Sequence, residues 1–163
     1  MNSLLHTSLA VSLLLASSPF LFAQEAASSA ADPMSRGQAL YMQVCFACHQ
    51  PTGQGLPGMF PPLAGSDWVT AKKPGRLIRM ILHGFTGPFM LNGVPFKSPA
   101  PLMPAQGAAL NDQQIADVLT YVRNSFGNAA PAVTAAEVKT IREAEKARSA
   151  MWTEAELLTI PSE

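Results

Sequence analysis

Two thiols and an imidazole stand within five residues of one another, in the run Cys45-Phe46-Ala47-Cys48-His49. A Cys-x-x-Cys-His run is the attachment signature of c-type haem. In that chemistry the two thiols form thioethers with the haem vinyl groups, and the histidine that follows ligates the iron. The sequence therefore predicts one haem c, bound covalently through Cys45 and Cys48, with His49 as an axial ligand.

Two other kinds of site use a Cys-x-x-Cys pair. A redox dithiol of the thioredoxin kind lies in a βαβ context, whereas the flanks here have the patterns of a helix and of a loop rich in proline and glycine. A zinc site requires two more ligands at suitable spacing, and the other histidines of the chain are His6 and His83. Haem attachment is therefore the interpretation that we favour.

Helix and loop patterns flank the motif on its two sides. From Met34 onward, the stretch SRGQALYMQVCFACH places Leu40, Val44 and Ala47 on one helical face. After the motif, residues 50–62 contain three glycines and four prolines, so they are predicted to form a loop.

A second helix is predicted from Arg76 to His83, after Pro74 and before Gly84. Ahead of it, Ser66 or Asp67 is expected to cap a short turn. The apolar side of the helix consists of Leu77, Ile78, Ile81 and Leu82. This helix therefore has a face to bury in a core.

A small hairpin is predicted over residues 89–97, because its central Asn-Gly pair is the strongest two-residue turn signal. Residues 99–104 form a second proline-rich loop. Asn111 and Gln114 then make a capping box at the start of another helix. The apolar stripe of that helix consists of Ile115, Val118, Leu119 and Val122.

With these elements in place, the chain resembles the class I c-type cytochromes over roughly Met34 to Gly127. Gly37 and Tyr41 resemble the N-terminal helix of that family, and Tyr121 resembles the aromatic residue of its C-terminal helix. The resemblance implies an all-α class I cytochrome c fold with three to four core helices around one haem, a small β-hairpin insertion and an extra C-terminal helix. It also implies that the two terminal helices cross closely, which a small residue such as glycine permits.

The segment Pro61–Gly65 (PPLAG) resembles the Pro-x-Leu segment of the same family. The resemblance implies that the carbonyl of Pro61 accepts a hydrogen bond from the proximal His49, which fixes the ring and tunes the ligand. Leu63 is then expected to pack on the haem face.

Eight methionines compete for the sixth coordination position of the iron. Met103 is our first choice, because its rigid proline-rich loop, residues 101–107, matches the Met-Pro loop of the family in kind and order. Met90, ahead of the hairpin turn, and His83, at a helix end, are the alternatives, whereas Met59 is too close to the motif. With a histidine and a methionine as ligands, both axial positions are filled and the reduction potential is raised. We therefore expect electron transfer rather than catalysis.

The segments CHQPTGQGLPGMFPPLAGSDW and LNDQQIADVLTYVRNSFGN are further similar to cytochrome c domains tethered to bacterial dehydrogenases and copper nitrite reductases. The chain is too short to contain either enzyme. We expect a detached cytochrome that carries single electrons, or a separate cytochrome subunit of an oxidoreductase complex. The expected partners are a dehydrogenase, a quinol-oxidising complex, or a terminal oxidase or reductase. A net charge of zero gives no indication of nucleic acid binding.

Basic residues outnumber acidic ones by seven to three between residues 34 and 127, and four of the seven lie between Lys72 and Arg79. This cluster is a docking patch that speeds encounter with an acidic partner, a set of partners for the haem propionates, or an ordinary solvated helix face. The expected centre of docking is the apolar rim of the haem site, with Met59, Phe60 and Met103.

The N-terminal residues are expected to lie outside the haem domain, which is assigned to residues 34–128. Residues 9–22 form an apolar run that is too short to span a bilayer. We expect residues 1–23 to be a signal peptide, cleaved near Ala23, that directs the protein to the periplasm. An uncleaved membrane anchor is the alternative, and residues 24–33 are expected to be a disordered lead-in.

Residues 129–163 are expected to form a C-terminal helical extension. Thr134 with Glu137 makes a capping box for a helix that ends near Arg148, and a second box caps a last short turn. The apolar residues of the extension are Val138, Ile141, Ala144, Trp152, Leu157, Leu158 and Ile160. They must bury against either the protein's own core or a partner subunit.

Overall fold

The computed structural model of the protein describes residues 32–99 and 102–162, and helices dominate it. The helices are α1 (Pro33–Leu40), a π-helical turn (Tyr41–Cys45), α2 (Phe46–His49), α3 (Asp67–Thr70), α4 (Gly75–His83), α5 (Asp112–Arg123), α6 (Ala135–Ala144) and α7 (Glu154–Leu158). The strands are β1 (Phe85–Thr86), β2 (Phe89–Leu91), β3 (Val94–Phe96) and β4 (Leu102–Met103). The predicted signal peptide, residues 1–23, and residues 24–31 of the predicted lead-in lie outside the described residues.

The helix before the haem motif begins at Pro33, one residue earlier than its sequence pattern predicts. Asp32 caps it, since its carboxylate accepts hydrogen bonds from the backbone of Met34 at 2.8 Å and of Ser35 at 3.2 Å. The π-helical turn then leads directly into the motif, and Gln50 ends α2 with a φ of 63°. Local π-helical turns of this kind are frequent at functional sites.

The buried side of this helix differs from the predicted one. Gly37 and Tyr41 are buried, whereas Val44 and Ala47, which the periodicity placed on the apolar face, are exposed. The reason is that the helix packs on α5 through its small and aromatic residues. Val44 instead lines the cavity that holds the haem motif.

The crossing of α1 and α5 depends on Gly37. A Cβ atom at this position would lie 2.2 Å from the carbonyl oxygen of Asp117 and 2.7 Å from the Cβ of Tyr121. Beside the crossing, Arg36 makes a bidentate ion pair with Asp117, with N–O distances of 2.6 and 2.9 Å. The close crossing expected between the two terminal helices is therefore present.

The elements between the motif and α5 follow their sequence signals. All four predicted apolar residues of α4 are buried, and Pro74 is its N-cap residue. Strands β2 and β3 form the predicted hairpin, in which Asn92 and Gly93 have φ values of 51° and 76°. Positive φ at both central residues is the geometry of a type I′ turn.

The proline-rich segment after the hairpin contains a strand that the sequence analysis did not predict. Leu102 and Met103 pair antiparallel with Thr86 and Phe85, respectively. The sequence does not predict this strand, because two residues are too few to show an alternating pattern and prolines surround them. Met103 therefore lies in a hydrogen-bonded ladder rather than in a free loop.

The C-terminal extension packs on the protein's own core. Val138 and Leu157 are fully buried and Trp152 is 8% exposed. Helix α6 ends at Ala144, four residues before the predicted Arg148. Of the apolar residues named for the extension, Val138, Trp152 and Leu157 are buried within the chain itself, whereas Ala144 and Leu158 are exposed. Among the described residues, the structure contains no helix of the length and apolarity needed to cross a membrane.

One mostly buried histidine, His83, ties the extension to α4. Its Nε2 lies 3.5 Å from Oε2 of Glu145, which also pairs with Arg79, and Arg142 and Arg148 add positive charge nearby. Burial lowers the pKa of His83 below its ordinary value of 6.5, although Glu145 opposes this shift. Protonation of His83 is therefore less favourable in the folded protein than in the unfolded chain.

Acidification is consequently expected to destabilise the protein through His83. Below about pH 6.5 the unfolded chain binds a proton at this position more readily than the folded one, so the free energy of unfolding falls as the pH falls. Denaturant titrations between about pH 8 and about pH 5 measure this effect. On acidification, the free energy of unfolding should fall less in His83→Gln than in the unchanged protein. Equal pH dependences in the two proteins would contradict this assignment.

Candidate haem site

One apolar cavity brings together the residues that the sequence analysis assigned to the haem. Cys45, Cys48, His49, Pro61, Leu63 and Met103 all line it. The cavity opens to solvent, and most of its lining side chains are apolar or aromatic. Among the described residues, no Asp, Glu, Lys or Arg lines the cavity. A mostly apolar group therefore fits the site better than a charged one.

His49 is oriented by the loop that follows it. Its Nδ1 lies 3.0 Å from the carbonyl oxygen of Pro61. A carbonyl only accepts hydrogen bonds, so the neutral imidazole carries its proton on Nδ1 and leaves the lone pair of Nε2 free to bind a metal. Burial lowers the pKa of His49, although the bond to Pro61 opposes the shift. The ring is thus neutral at neutral pH, as metal ligation requires.

Two glycines allow the loop to return to His49. The backbone N–H groups of Leu63 and Ala64 both donate to the carbonyl of Gly53, at 2.7 and 3.0 Å. Gly55 has a φ of 63°, and a Cβ there would lie 2.3 Å from the carbonyl oxygen of Phe60. The carbonyl of Pro61 reaches the imidazole because the chain turns tightly at these positions.

Cys45 lacks the lowered thiol pKa that is typical of a redox-active dithiol. Neither Cys45 nor Cys48 forms a disulfide. Burial, with a smaller contribution from Cys48, raises the pKa of Cys45 to about 11. Redox-active dithiols work through a lowered thiol pKa. The described residues also contain no group of three or more His, Cys, Asp or Glu that could hold a metal ion, so a zinc site has no support in this part of the chain.

The candidates for the second axial ligand separate clearly by location. Met103 is half-buried in the cavity wall, and Met59 lies at its rim with 45% exposure. The alternatives Met90 and His83 do not line the cavity. Sequence reasoning missed Met80 on α4, which also lines it. The signal was the spacing Leu77-Met80-Ile81, which places these residues on one helical face.

The hairpin closes part of the cavity. Phe89, Leu91 and Phe96 line the wall, and the indole N–H of Trp68 donates to the carbonyl of Met90 at 2.8 Å. Reciprocal hydrogen bonds between Asp67 and Asn92, at 2.9 and 3.0 Å, hold the turn against α3. The hairpin therefore supplies aromatic surface to the cavity wall.

With this geometry established, comparison with known sequences identifies the family. Residues 34–126, more than half of the chain, match the sequence profile of the family described as Cytochrome c. The chain belongs to the cytochrome c family. It accordingly binds one haem c covalently, and its two cysteines are Cys45 and Cys48. The predicted cofactor is thus confirmed, and the apolar cavity with its neutral histidine and free thiols fits that group.

The relatives of the chain include dehydrogenase subunits and a small cytochrome. It is 42% identical over 108 residues to the cytochrome c subunit of a quinone-dependent alcohol dehydrogenase from Gluconacetobacter polyoxogenes, covering 66% of this chain and 22% of that subunit. It is 39% identical over 119 residues to the gluconate 2-dehydrogenase cytochrome c subunit of Pantoea cypripedii, covering 70% and 25%. It is 38% identical over 114 residues to cytochrome c-552 of Thermus thermophilus, covering 65% and 83%. The chain thus spans about a quarter or less of those dehydrogenase subunits and most of the small cytochrome.

The extension occupies part of the basic cluster between Lys72 and Arg79. Nε of Arg76 donates to the carbonyl of Ile160 at 2.8 Å, and Arg79 pairs with Glu145. The backbone N–H of Lys73 donates to the carbonyl of Ser162 at 3.0 Å. Arg76 and Arg79 therefore make contacts within the chain. Only part of the basic cluster remains for a docking patch or a solvated helix face.

Proposed function

We propose that this protein is a class I monohaem c-type cytochrome that carries single electrons between redox partners in the periplasm, after removal of residues 1–23. His49 and Met103 would hold the haem iron, Pro61 would orient His49, and Leu63 would pack on the haem face. The observation that carries the proposal is that one apolar cavity is lined by Cys45, Cys48 and His49 of the attachment motif together with Met103. With both residues bound to it, the iron would have no free position for a substrate, so the site would transfer electrons only.

The chain's own residues adapt the site to this task. The bound haem supplies an iron that changes charge by one electron, and the protein sets its potential through ligands, hydrogen bonds and burial. The bond from His49 to Pro61 fixes the ring, and the apolar wall disfavours the additional charge of the oxidised state. A thioether ligand favours reduced iron further, so a potential above that of a bis-histidine site is expected.

The alternative is a fixed cytochrome subunit of a dehydrogenase complex. It is favoured by the likeness to two dehydrogenase cytochrome subunits. The match to cytochrome c-552, which covers 83% of that protein, favours the free carrier. Burial of Val138, Trp152 and Leu157 within the chain itself also favours it. Size-exclusion chromatography of the protein purified from its native cells at low concentration separates the two: a monomer supports the carrier, and stable elution with a dehydrogenase supports the subunit.

Substitution of Met103 tests the ligand assignment. In Met103→Ala the haem stays attached, but the iron loses its thioether ligand, so the spectral features of low-spin methionine ligation disappear and the reduction potential falls. Absorption spectra of both oxidation states and a redox titration measure these effects. The matched control is Met80→Ala, which removes the other half-buried methionine of the cavity.

The pair of variants gives a clear outcome. We expect Met80→Ala to keep methionine ligation and most of the potential. An unchanged spectrum in Met103→Ala, or loss of ligation in Met80→Ala alone, would show that Met103 is not the ligand. The electron-transfer function itself is tested separately, by whether the reduced protein is oxidised by a partner without consuming oxygen or peroxide at the iron.

A further inference from the structure

A third strand segment, supplied by the C-terminal extension, lies beside the strand pair that holds Met103. Trp152 forms a parallel bridge with Phe85, which in turn pairs antiparallel with Met103. The backbone N–H of Thr86 donates to the carbonyl of Trp152 at 2.8 Å, and that of Trp152 donates to the carbonyl of Gly84 at 3.0 Å. The extension thereby bonds the outer edge of β1, the strand that pairs with the Met103 strand β4.

The chain segments meet at Gly84 with no room to spare. A Cβ there would lie 2.7 Å from the carbonyl oxygen of Met103 and 3.2 Å from Cγ of Met151. The φ of Gly84 is 82°, which disfavours any residue with a side chain. The extension on one side and the Met103 segment on the other thus lie against the same backbone atoms.

The side chain of Trp152 adds a packed cluster to these backbone bonds. It is buried with Phe85 and Leu157, and Met103 packs against this group. The guanidinium of Arg148 lies 3.6 Å from the centre of the indole ring, a cation–π contact that holds the ring in place. The contact between the extension and the Met103 segment therefore includes side chains as well as backbone.

The same stretch of the extension is fastened on both sides of Trp152. Before it, Glu145 pairs with Arg79 of α4. After it, Glu154 accepts a hydrogen bond from the backbone of Met90 at 2.7 Å, and the carbonyl of Ile160 accepts one from Arg76. Trp152 is thus a fixed point against which β1 and β4 are held.

We propose that Trp152 is a positioning residue for Met103: by completing the Trp152–Phe85–Met103 ladder, the extension keeps the thioether at the iron and so keeps the sixth coordination position closed. This inference rests on the proposed axial ligation by Met103. The family match ends at residue 126, so the positioning segment lies outside the matched region.

Binding of imidazole to the oxidised iron measures this closure. Imidazole binds only when the thioether has left, so its apparent dissociation constant equals the intrinsic constant divided by the fraction of open molecules. If Trp152 holds the closed state, Trp152→Ala should bind imidazole about tenfold more tightly than the unchanged protein, because the open fraction rises by about that factor. The thioether spectral features should weaken in parallel, and the reduction potential should fall.

Three further variants of the full-length holoprotein complete the experiment. Trp152→Phe keeps an aromatic ring under Arg148 and should restore imidazole affinity to within about twofold of the unchanged value. Val138→Ala is the control: Val138 is fully buried in the extension but makes no bridge to β1. It should lower the unfolding midpoint without changing imidazole affinity. If Trp152→Ala yields no holoprotein, Trp152→Leu replaces it in the same comparison.

Met103→Ala shows how tightly imidazole binds when the thioether is absent. It also distinguishes the proposal that Met103 is the ligand from the proposal that Trp152 positions it. If it binds imidazole no more tightly than the unchanged protein, the axial assignment of Met103 fails. If it binds much more tightly while Trp152→Ala does not, Met103 is the ligand and the positioning role of Trp152 is overturned. Equal effects of Trp152→Ala and Val138→Ala would also overturn it, since the role of Trp152 would then be general stability alone.

Discussion

Replacement of Gly55 by alanine is expected to lower the free energy of unfolding of the haem-bound protein by about 3 kcal/mol. Two costs add at this position. A left-handed φ costs a residue with a side chain about 1–2 kcal/mol, and φ here is 63°. The new Cβ would also lie 2.3 Å from the carbonyl oxygen of Phe60 and 2.6 Å from that of Pro61. Because both neighbours are backbone atoms, relief requires the loop itself to move, at about 1–3 kcal/mol.

The movement also affects the site, because the Pro61 carbonyl is the acceptor for His49. Denaturant unfolding and a redox titration of Gly55→Ala should therefore both change. Gly58→Ala is a matched control in the same loop: its φ is 71°, and nothing lies within 4 Å of its added Cβ. We expect that control to lose only about 1–2 kcal/mol and to keep its potential. Equal decreases in the free energy of unfolding of the two variants would mean that the close contacts of the added Cβ at Gly55 cost nothing.

Local sequence signals predicted most of the elements because each signal acts over few residues. Capping boxes at Asn111 and Thr134 are both present, and the Asn-Gly pair turns the hairpin. The five residues of the attachment motif predicted the haem because that chemistry needs its groups adjacent in sequence. Resemblance to a family added what spacing could not, namely which carbonyl lies beside His49.

Contacts between distant segments were the part that sequence could not supply. Helix α4 has apolar residues on two adjoining sides. Spacing groups Met80 with Leu77 and Ile81, but only packing shows that this side faces the cavity. The bridge from Phe85 to Trp152 joins residues 67 positions apart (152 − 85) without a strand pattern at either end. The charge count also treated every arginine alike, although Arg123 is fully buried.

Replacement of Arg123 by methionine is also expected to lower the free energy of unfolding by about 3 kcal/mol. Its guanidinium donates to the carbonyl oxygens of Val69 at 2.7 Å, Pro131 at 2.8 Å and Ala71 at 2.9 Å. Burial lowers the pKa of Arg123, and four backbone carbonyls, including that of Lys72 at 3.3 Å, compensate its charge. Methionine fills similar space but leaves these acceptors without donors, at about 1–3 kcal/mol for each that stays dry.

The loss is expected to reach the haem site because Arg123 joins two walls of the cavity. Val122 on α5 and Val69 on α3 both line it, and Arg123 bonds the carbonyl of Val69. Arg142→Met is the matched control: that arginine also donates to two backbone carbonyls, but it pairs with Asp112 near the surface at 29% exposure. Because water can replace its bonds, a loss of only about 1 kcal/mol is expected. Denaturant titration of both variants, together with haem absorption, decides the matter: similar losses would show that the buried guanidinium is not what holds α3 to α5.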